Sequence, residues 1–441
     1  MRKQFTIIFL ALITVALFLA GCSDRTSDNP TRSIYDQRGL VFSPWAPHFE
    51  SILISTSDDE SGSKGVAVYT PSDFDPMGSG VPYPTLYLLT PFRSDELFYF
   101  KRGLAEVADR LIQEGKIVPM NIVSFDGQSV LGASFYTNSL GQGNFFTALY
   151  KDTTIIEVNW EGVFINIQGN SLISIIDGRF STLTDPANRA ICGIGVGGYG
   201  AIRGALETNL FGAVSAVNAP LDFDGDGIGG FRAVLNNLML SNNWPVDTSK
   251  GDELTSLMVS AASAFSPHIT ALNTLIDTFY TDPNDSTKII LLNYHGSYYE
   301  NDAFGIRTFK YVASDSLSDD LSTFLPLHLS HMPFDSTGAW RSNIWDLWMD
   351  NNIENLWNAD QFGHASNFNS IPKLLISSTE AKFDYDEQMT SFEQFLSSNS
   401  ITYTHQTFEG TDDLSGTASH YMYDLFEDLL IFHSNNFNVP D

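Results

Sequence analysis

Four glycines fall within six residues between an apolar strand and a helix near the middle of the chain. The stretch is Gly193-Ile194-Gly195-Val196-Gly197-Gly198, with a predicted strand at Ala190–Cys192 before it and a predicted helix at Tyr199–Glu207 after it. Glycine tolerates left-handed backbone angles and close backbone approach. The pattern therefore predicts a sharp strand-to-helix turn whose helix packs tightly on its neighbours.

Apolar strands alternate with amphipathic helices on both sides of this turn. The other predicted strands are Gly65–Thr70, Thr85–Leu89, Ile122–Phe125, Ala213–Val217, Lys373–Ser377 and Thr402–Phe408. Predicted helices include Leu104–Glu114, Leu172–Phe180, Asp386–Leu396 and Tyr421–His433. Such alternation is typical of an α/β fold with a mostly parallel central sheet and helices on both faces.

A long stretch with weaker periodicity, about residues 241–370, separates the two halves of this alternation. It is rich in Asn, Asp, Ser and Trp, and two helices are predicted in it, at Leu254–Phe265 and Ile344–Leu356. The predicted strands before and after this stretch are both needed to complete one sheet. We therefore expect an insertion over the C-terminal edge of the sheet; a separate domain is the alternative.

Composition limits the partners of the chain. The 441 residues contain 23 Lys and Arg against 52 Asp and Glu, a net charge of −29 that disfavours nucleic acid. With 43% hydrophobic residues there is enough apolar material for a large core. The two cysteines, Cys22 and Cys192, cannot build a disulfide framework or a cysteine zinc site.

The N-terminus has the pattern of an export signal. Arg2 and Lys3 precede an apolar run from Phe5 to Leu19, too short to span a membrane comfortably. Leu19-Ala20-Gly21-Cys22 resembles the lipobox of bacterial lipoproteins, which implies cleavage before Cys22 and lipidation of its thiol. A plain secretory signal is the alternative.

This resemblance sets the expected boundaries and location. Residues 1–21 form the signal peptide, 22–33 a flexible tether and 34–436 the folded domain. Cleavage removes two positive charges and no acidic residue, which leaves −31. Ser23 after the cysteine implies the outer membrane or cell surface, with the membrane as a partner through the lipid anchor.

Several spaced motifs resemble the putative esterase family of α/β-hydrolases, which includes esterase D, feruloyl esterases and mycolyltransferases. They are Tyr83-Pro84-Thr85-Leu86-Tyr87-Leu88-Leu89, Gly115–Met120, Ser134–Ser139, Trp160-Glu161, Ile176–Thr182, Arg189–Ala201 and Phe211–Ala216. The resemblance implies the α/β-hydrolase fold and an ester hydrolase or acyltransferase ancestry.

The chain departs from the family at the nucleophile. Such hydrolases carry G-x-S-x-G at the strand-to-helix turn, which exposes the serine hydroxyl above the sheet. Here the five positions are Gly193-Ile194-Gly195-Val196-Gly197, so Gly195 occupies the nucleophile position. Glycine has no side chain that can attack a carbonyl.

A second departure affects the oxyanion hole. The family's buried strand leads into a His-Gly pair whose loop supplies a backbone N–H to the hole. Here the strand continues as Thr90-Pro91, and proline has no N–H. The N–H of Val196 would remain as a donor, which leaves half a hole at best.

The other triad positions are filled. Asp384 follows a predicted strand and His420 precedes a predicted helix, so Gly195, Asp384 and His420 keep the nucleophile, acid, base order of the family. Alternatively Asp384 caps a helix and His420 is only a helix-start residue. As replacement nucleophiles, Cys192 is expected to be inert in its strand, and Ser134 and Ser139 to be structural.

One calcium motif is suggested after the strand Ala213–Val217. Asp222, Asp224 and Asp226 alternate and precede a glycine, as in the first half of a calcium loop. The twelfth position is Ala233, which excludes an EF-hand. A plain Asp/Gly turn is the alternative, and no cofactor is required.

Three functions follow from these patterns. The first is a catalytically silent esterase homologue that keeps a cleft for a small-molecule, acyl-ester or glycan ligand. The second is an active carboxylic ester hydrolase or acyltransferase with an unrecognised nucleophile. The third is an adhesive or carbohydrate-binding surface formed by the insertion. The two losses, at Gly195 and at Thr90-Pro91, favour the first.

Overall fold

The structure of the chain is a computed structural model. It describes residues 52–53, 63–72, 74, 81–129, 132–139, 143–158, 164–169, 171–224, 230–233, 235, 253–266, 298–301, 307–310, 333, 340–380, 385–411 and 420–439. The predicted signal peptide, the tether and Cys22 lie outside these ranges. Within them, none of the helices has the length and apolar character that crossing a membrane requires.

A seven-stranded sheet forms the centre of the molecule. Its strands are β1 (Val66–Tyr69), β2 (Thr85–Leu89), β3 (Asn121–Phe125), β4 (Arg189–Ile194), β5 (Ala213–Val217), β6 (Lys373–Glu380) and β7 (Thr404–Thr411). Their order across the sheet is β7-β6-β5-β4-β2-β3-β1. All neighbouring pairs are parallel except β1 with β3. The predicted mostly parallel sheet is confirmed.

Helices cover both faces of this sheet. They are α1 (Leu104–Gln113), α2 (Phe145–Tyr150), α3 (Leu172–Arg179), α4 (Val196–Glu207), α5 (Glu253–Phe265), α6 (Ser342–Met349), α7 (Ile353–Ala359), α8 (Ala365–Ser370), α9 (Tyr385–Ser398) and α10 (His420–Asn435). Short 3-10 turns lie at Phe100–Arg102 and Pro186–Asn188.

Among the described residues, four small antiparallel pairs lie outside the central sheet. They join Ile52–Leu53 to Ser63–Lys64, Asn138–Ser139 to Gly143–Asn144, Thr153–Val158 to Phe164–Gly169, and Tyr298–Asn301 to Arg307–Lys310.

Two hydrophobic cores lie on opposite faces of the sheet, because successive strand side chains point to alternate sides. In β6, Leu375 belongs to the core under α4 and α9, whereas Leu374 and Ile376 belong to the core under α1 and α10. Every described residue of β2, β3, β4 and β5 is buried, as expected for strands covered on both faces.

The stretch predicted as an insertion enters between β5 and β6, which are neighbouring parallel strands. Its described helices pack into the same core as α4. Trp348 of α6 is fully buried there, and its indole Nε1 donates to Ser266 Oγ at 2.9 Å, just after α5. This stretch thus shares its hydrophobic core with the sheet.

The prediction of one helix over Ile344–Leu356 is wrong, because the chain breaks into α6 and α7 at Asn352. The backbone of Asn352 is extended, with ψ 137°. Its side chain Oδ1 accepts from the N–H of Phe223 at 2.9 Å, and its Nδ2 donates to Asp222 at 3.3 Å. These tertiary contacts fix a break that helical periodicity does not reveal.

Candidate functional site

The strand-to-helix turn has the backbone of a strained elbow. Gly195 lies between β4 and α4 with φ 57° and ψ −125°. Its N–H donates to the carbonyl of Val217 at 2.8 Å, and its carbonyl accepts from the N–H of Tyr199 at 3.1 Å. L-residues adopt such angles only where the surrounding structure enforces them, and they do so mostly at functional sites.

The flanking glycines are required for a different reason, which is space. A Cβ at Gly193 would lie 2.1 Å from the backbone C and O of Gly197. A Cβ at Gly197 would lie 2.1 Å from the carbonyl O of Leu89. The turn therefore packs directly on the neighbouring strand β2, and only hydrogen fits at these two positions.

Gly195 itself has room for a side chain. The nearest atoms to a Cβ there would be Pro91 Cβ and Tyr385 Cε2, both at 3.8 Å, and the carbonyl O of Asn218 at 4.0 Å. These are ordinary van der Waals distances. The turn thus has room for the Cβ of a side chain at position 195.

The residues around this space come from the carboxyl ends of adjacent strands. Pro91 follows β2, Asn218 follows β5, and Tyr385 begins α9 after β6. The side chain of Asn218 also accepts from the N–H of Ser378 at 2.7 Å, which ties β5 to β6 beside the turn. Ligands of open parallel sheets bind at this edge.

Side chains hold the loop after β2 firmly in place. Thr90 Oγ1 donates to the carbonyl of Phe125 at 3.1 Å and accepts from the N–H of Gly127 at 3.2 Å. Buried Tyr136 donates its hydroxyl to the carbonyl of Thr90 at 2.7 Å, and burial raises the pKa of that phenol well above its usual value. Gln128 Nε2 donates to the carbonyl of Pro91 at 3.1 Å.

This loop cannot donate an N–H from Pro91, since proline lacks one. Val196 is the first residue of α4, so its N–H has no acceptor within the helix. The N–H of Val196 is thus available at the turn, and its role as the remaining oxyanion donor stays a prediction.

The predicted acid and base remain predictions. Asp384 lies outside the described residues, although the next residue, Tyr385, borders the space at Gly195. His420 is the first residue of α10, which follows β7, and its side chain is not among those described.

The three residues that the sequence offers as replacement nucleophiles are all buried, and their contacts are those of structural residues. Cys192 is fully buried in β4, and burial raises the pKa of its thiol to about 12. Ser134 donates to the carbonyl of Gly127 at 2.7 Å, and Ser139 donates to the carbonyl of Ser263 at 2.6 Å. The predictions that Cys192 is inert packing and that both serines are structural agree with these contacts.

The predicted calcium ligands have other partners where they are described. Asp222 is buried and accepts from the hydroxyl of Ser391 and from Asn352. Asp224 forms an ion pair with Arg232 at 3.0 Å. Asp226 lies outside the described residues. Over the described part of the chain, no three His, Cys, Asp or Glu side chains are grouped as a metal site. Calcium binding stays a prediction.

One cluster was not found from sequence. Ser377, His405 and Glu393 come from β6, β7 and α9. Ser377 is hydrogen-bonded to His405, and the other ring nitrogen of His405 lies 3.2 Å from the carboxylate of Glu393. The register between β6 and β7, in which Leu375 pairs with His405 and Ser377 with Thr407, and the packing of α9 bring them together. No spacing in the sequence signals such a register.

The mostly parallel sheet, with a strained glycine elbow at the carboxyl edge of a central strand, defines a protein of the α/β-hydrolase fold. The chain belongs to the family described as Putative esterase, whose model matches residues 61–287, slightly more than half of the 441 residues.

Solved structures of esterases resemble the chain at low sequence identity. A ferulic acid esterase is 14% identical, with 88% of this chain and 97% of that chain covered and a TM-score of 0.48. An S-formylglutathione hydrolase from Staphylococcus aureus is 12% identical, with 85% and 93% covered and a TM-score of 0.37. One from Agrobacterium tumefaciens is 12% identical, with 89% and 94% covered and a TM-score of 0.41.

Proposed function

We propose that this chain is a lipid-anchored member of the esterase family that has lost serine-hydrolase catalysis at its elbow and uses the remaining cleft to bind a ligand. One observation carries the proposal. Gly195 holds the strained angles of a nucleophile elbow, with room for a Cβ at van der Waals distance from its neighbours, yet has no side chain.

The loss of the hydroxyl removes the covalent route of ester hydrolysis. A histidine that activates water directly would retain general base catalysis, worth roughly 10²- to 10⁴-fold, without an acyl-enzyme intermediate. The loop at Pro91 weakens catalysis further, since one missing oxyanion donor costs about 10²- to 10³-fold in rate. Two independent losses at one site support a binding role over a slow enzyme.

The cleft suits a small-molecule, acyl-ester or glycan ligand. Its walls combine apolar atoms of Pro91 and Tyr385 with the carbonyl of Asn218. The anchor on Cys22 would hold this cleft at the outer membrane or cell surface, where an acidic chain of net charge −29 before cleavage stays clear of nucleic acid.

The variant G195S tests the proposal directly. The space at position 195 accepts a Cβ without a clash, so the introduced hydroxyl should react with a fluorophosphonate probe, and the adduct should map to position 195. The double variant G195S/H420A should lose this adduct, because His420 is the predicted base.

Two outcomes would count against the proposal. A G195S protein that folds but carries no adduct at position 195 would show that the elbow no longer serves a nucleophile. Labelling at position 195 that persists in G195S/H420A would remove His420 from the site.

A further inference from the structure

A serine, a histidine and a glutamate, residue types that are common in catalytic sites, lie close together at the β7 edge of the sheet. The hydroxyl Oγ of Ser377 is 2.8 Å from His405 Nε2. On the other side of the ring, His405 Nδ1 is 3.2 Å from Glu393 Oε2. A serine, a histidine and a carboxylate are thus joined in the order used for nucleophilic activation.

The carboxylate of Glu393 favours a proton on the ring nitrogen nearer to it, Nδ1, because the two atoms lie 3.2 Å apart. With the proton on Nδ1, the lone pair at Nε2 accepts from the hydroxyl of Ser377 at 2.8 Å. The second oxygen of Glu393, Oε1, is buried with no other partner in the described part of the chain. Burial raises the pKa of Glu393, and the nearby His405 opposes this rise.

The cluster is open on one side. The side chain of His405 is 36% exposed, and β7 is the last strand of the described sheet. Ser377 is 8% exposed, so most of its surface is covered by neighbouring residues. Thr407 Oγ1 lies farther from the same Nε2, at 3.3 Å, which leaves Ser377 as the closer hydroxyl.

The cluster lacks one component of a turnover enzyme. The N–H that follows the serine, on Ser378, already donates to the side chain of Asn218 at 2.7 Å. A tetrahedral intermediate at Ser377 would therefore lose a natural oxyanion donor, which slows each step about 10²- to 10³-fold. Reaction with an activated ester is compatible with this geometry, whereas rapid hydrolysis is not.

From this arrangement we infer that Ser377 is an acyl-accepting nucleophile, with His405 as its base and Glu393 as the positioning residue for the imidazole. Its substrates are activated carboxylic esters. Ser377 Oγ bonds to the acyl carbon while its proton passes to His405 Nε2. The bond to the leaving alcohol then breaks, and the alcohol departs with that proton. One acyl group stays on the serine.

The test is covalent labelling with a fluorophosphonate probe, mapped by mass spectrometry of peptides. The wild-type protein should carry one adduct, on Ser377, and S377A should lose it. H405Q should label at least about 10²-fold more slowly, and E393Q should also be slower. S397A is the matched control, because Ser397 is an α9 serine bonded to Tyr403 rather than to a histidine, and it should label as the wild type does.

A pH profile of the wild-type protein gives a second measurement that does not depend on any variant folding. The labelling rate should fall in acid, because a protonated imidazole cannot accept the proton of Ser377. No adduct on Ser377, or a rate that is the same in H405Q and independent of pH, would overturn the inference.

These results separate the inference from the proposed function. Labelling at Ser377 depends on His405, whereas labelling at position 195 in G195S depends on His420. Either can fail while the other holds.

Discussion

The elbow glycines should respond very differently to one added methyl group. In G195A the new Cβ meets its nearest atoms at 3.8 Å, so the cost comes from the backbone angles alone. A non-glycine residue in such a region costs about 1 to 3 kcal/mol. Loss of glycine flexibility in the unfolded chain offsets about 0.4 to 1 kcal/mol of this. The free energy of unfolding of G195A should therefore be lower than that of the wild type by about 1 to 2 kcal/mol.

In G197A the same methyl group meets backbone. Its Cβ would lie 2.1 Å from the carbonyl O and 2.7 Å from the carbonyl C of Leu89, in a central buried strand that cannot move aside. Only such severe disruptions lower the free energy of unfolding by more than about 4 to 5 kcal/mol. G193A should behave in the same way, because its Cβ would lie 2.1 Å from the backbone of Gly197.

The assay is thermal melting of the three variants beside the wild-type protein, followed by circular dichroism. Domains of 150 to 250 residues lose about 2 to 4 °C per kcal/mol, and a longer chain loses less. G195A should therefore melt about 2 to 4 °C below the wild type. G193A and G197A should melt far lower or fail to fold. A G197A protein as stable as G195A would refute the packing described for the elbow.

Three further predictions concern other parts of the chain. Burial lowers the pKa of Lys373 to about 8, below its value in the unfolded chain. The free energy of unfolding of the wild type should therefore rise between pH 8 and 10, by on the order of 3 kcal/mol. Urea unfolding of K373M should show no such rise. C22S should move the protein from the membrane pellet to the soluble fraction, because the proposed lipid anchor requires the thiol; equal pelleting of C22S and the wild type would exclude the anchor. If Asp222, Asp224 and Asp226 bind calcium, the metal should raise the melting temperature, chelator should reverse the rise and D226N should abolish it; an unchanged melt favours a plain turn.

Periodicity in the sequence predicts the central sheet closely. The bounds of β2 and β5, Thr85–Leu89 and Ala213–Val217, are those expected, because buried strands between turn residues have a clear pattern. The helix after the elbow begins three residues earlier than predicted, at Val196. Glycines disfavour helix locally, but their close packing on β2 overrides that preference.

The candidate site was only partly predictable. Gly195, its role in the turn and the burial of Cys192 follow from a strand, a glycine run and a helix in order. The cluster of Ser377, His405 and Glu393 depends on strand register and on the rotation of α9, which are tertiary properties. The break at Asn352 has the same origin, since its side chain bonds to a segment distant in sequence.

Turnover of p-nitrophenyl acetate by the wild-type protein tests the central claim most directly. After any stoichiometric acylation, the steady-state rate of the wild type should equal that of H420A, since Gly195 offers the predicted base His420 no hydroxyl to activate and attack by water lacks an oxyanion donor at Pro91. A sustained wild-type rate that falls in H420A would contradict the account, because the elbow would then still support catalysis.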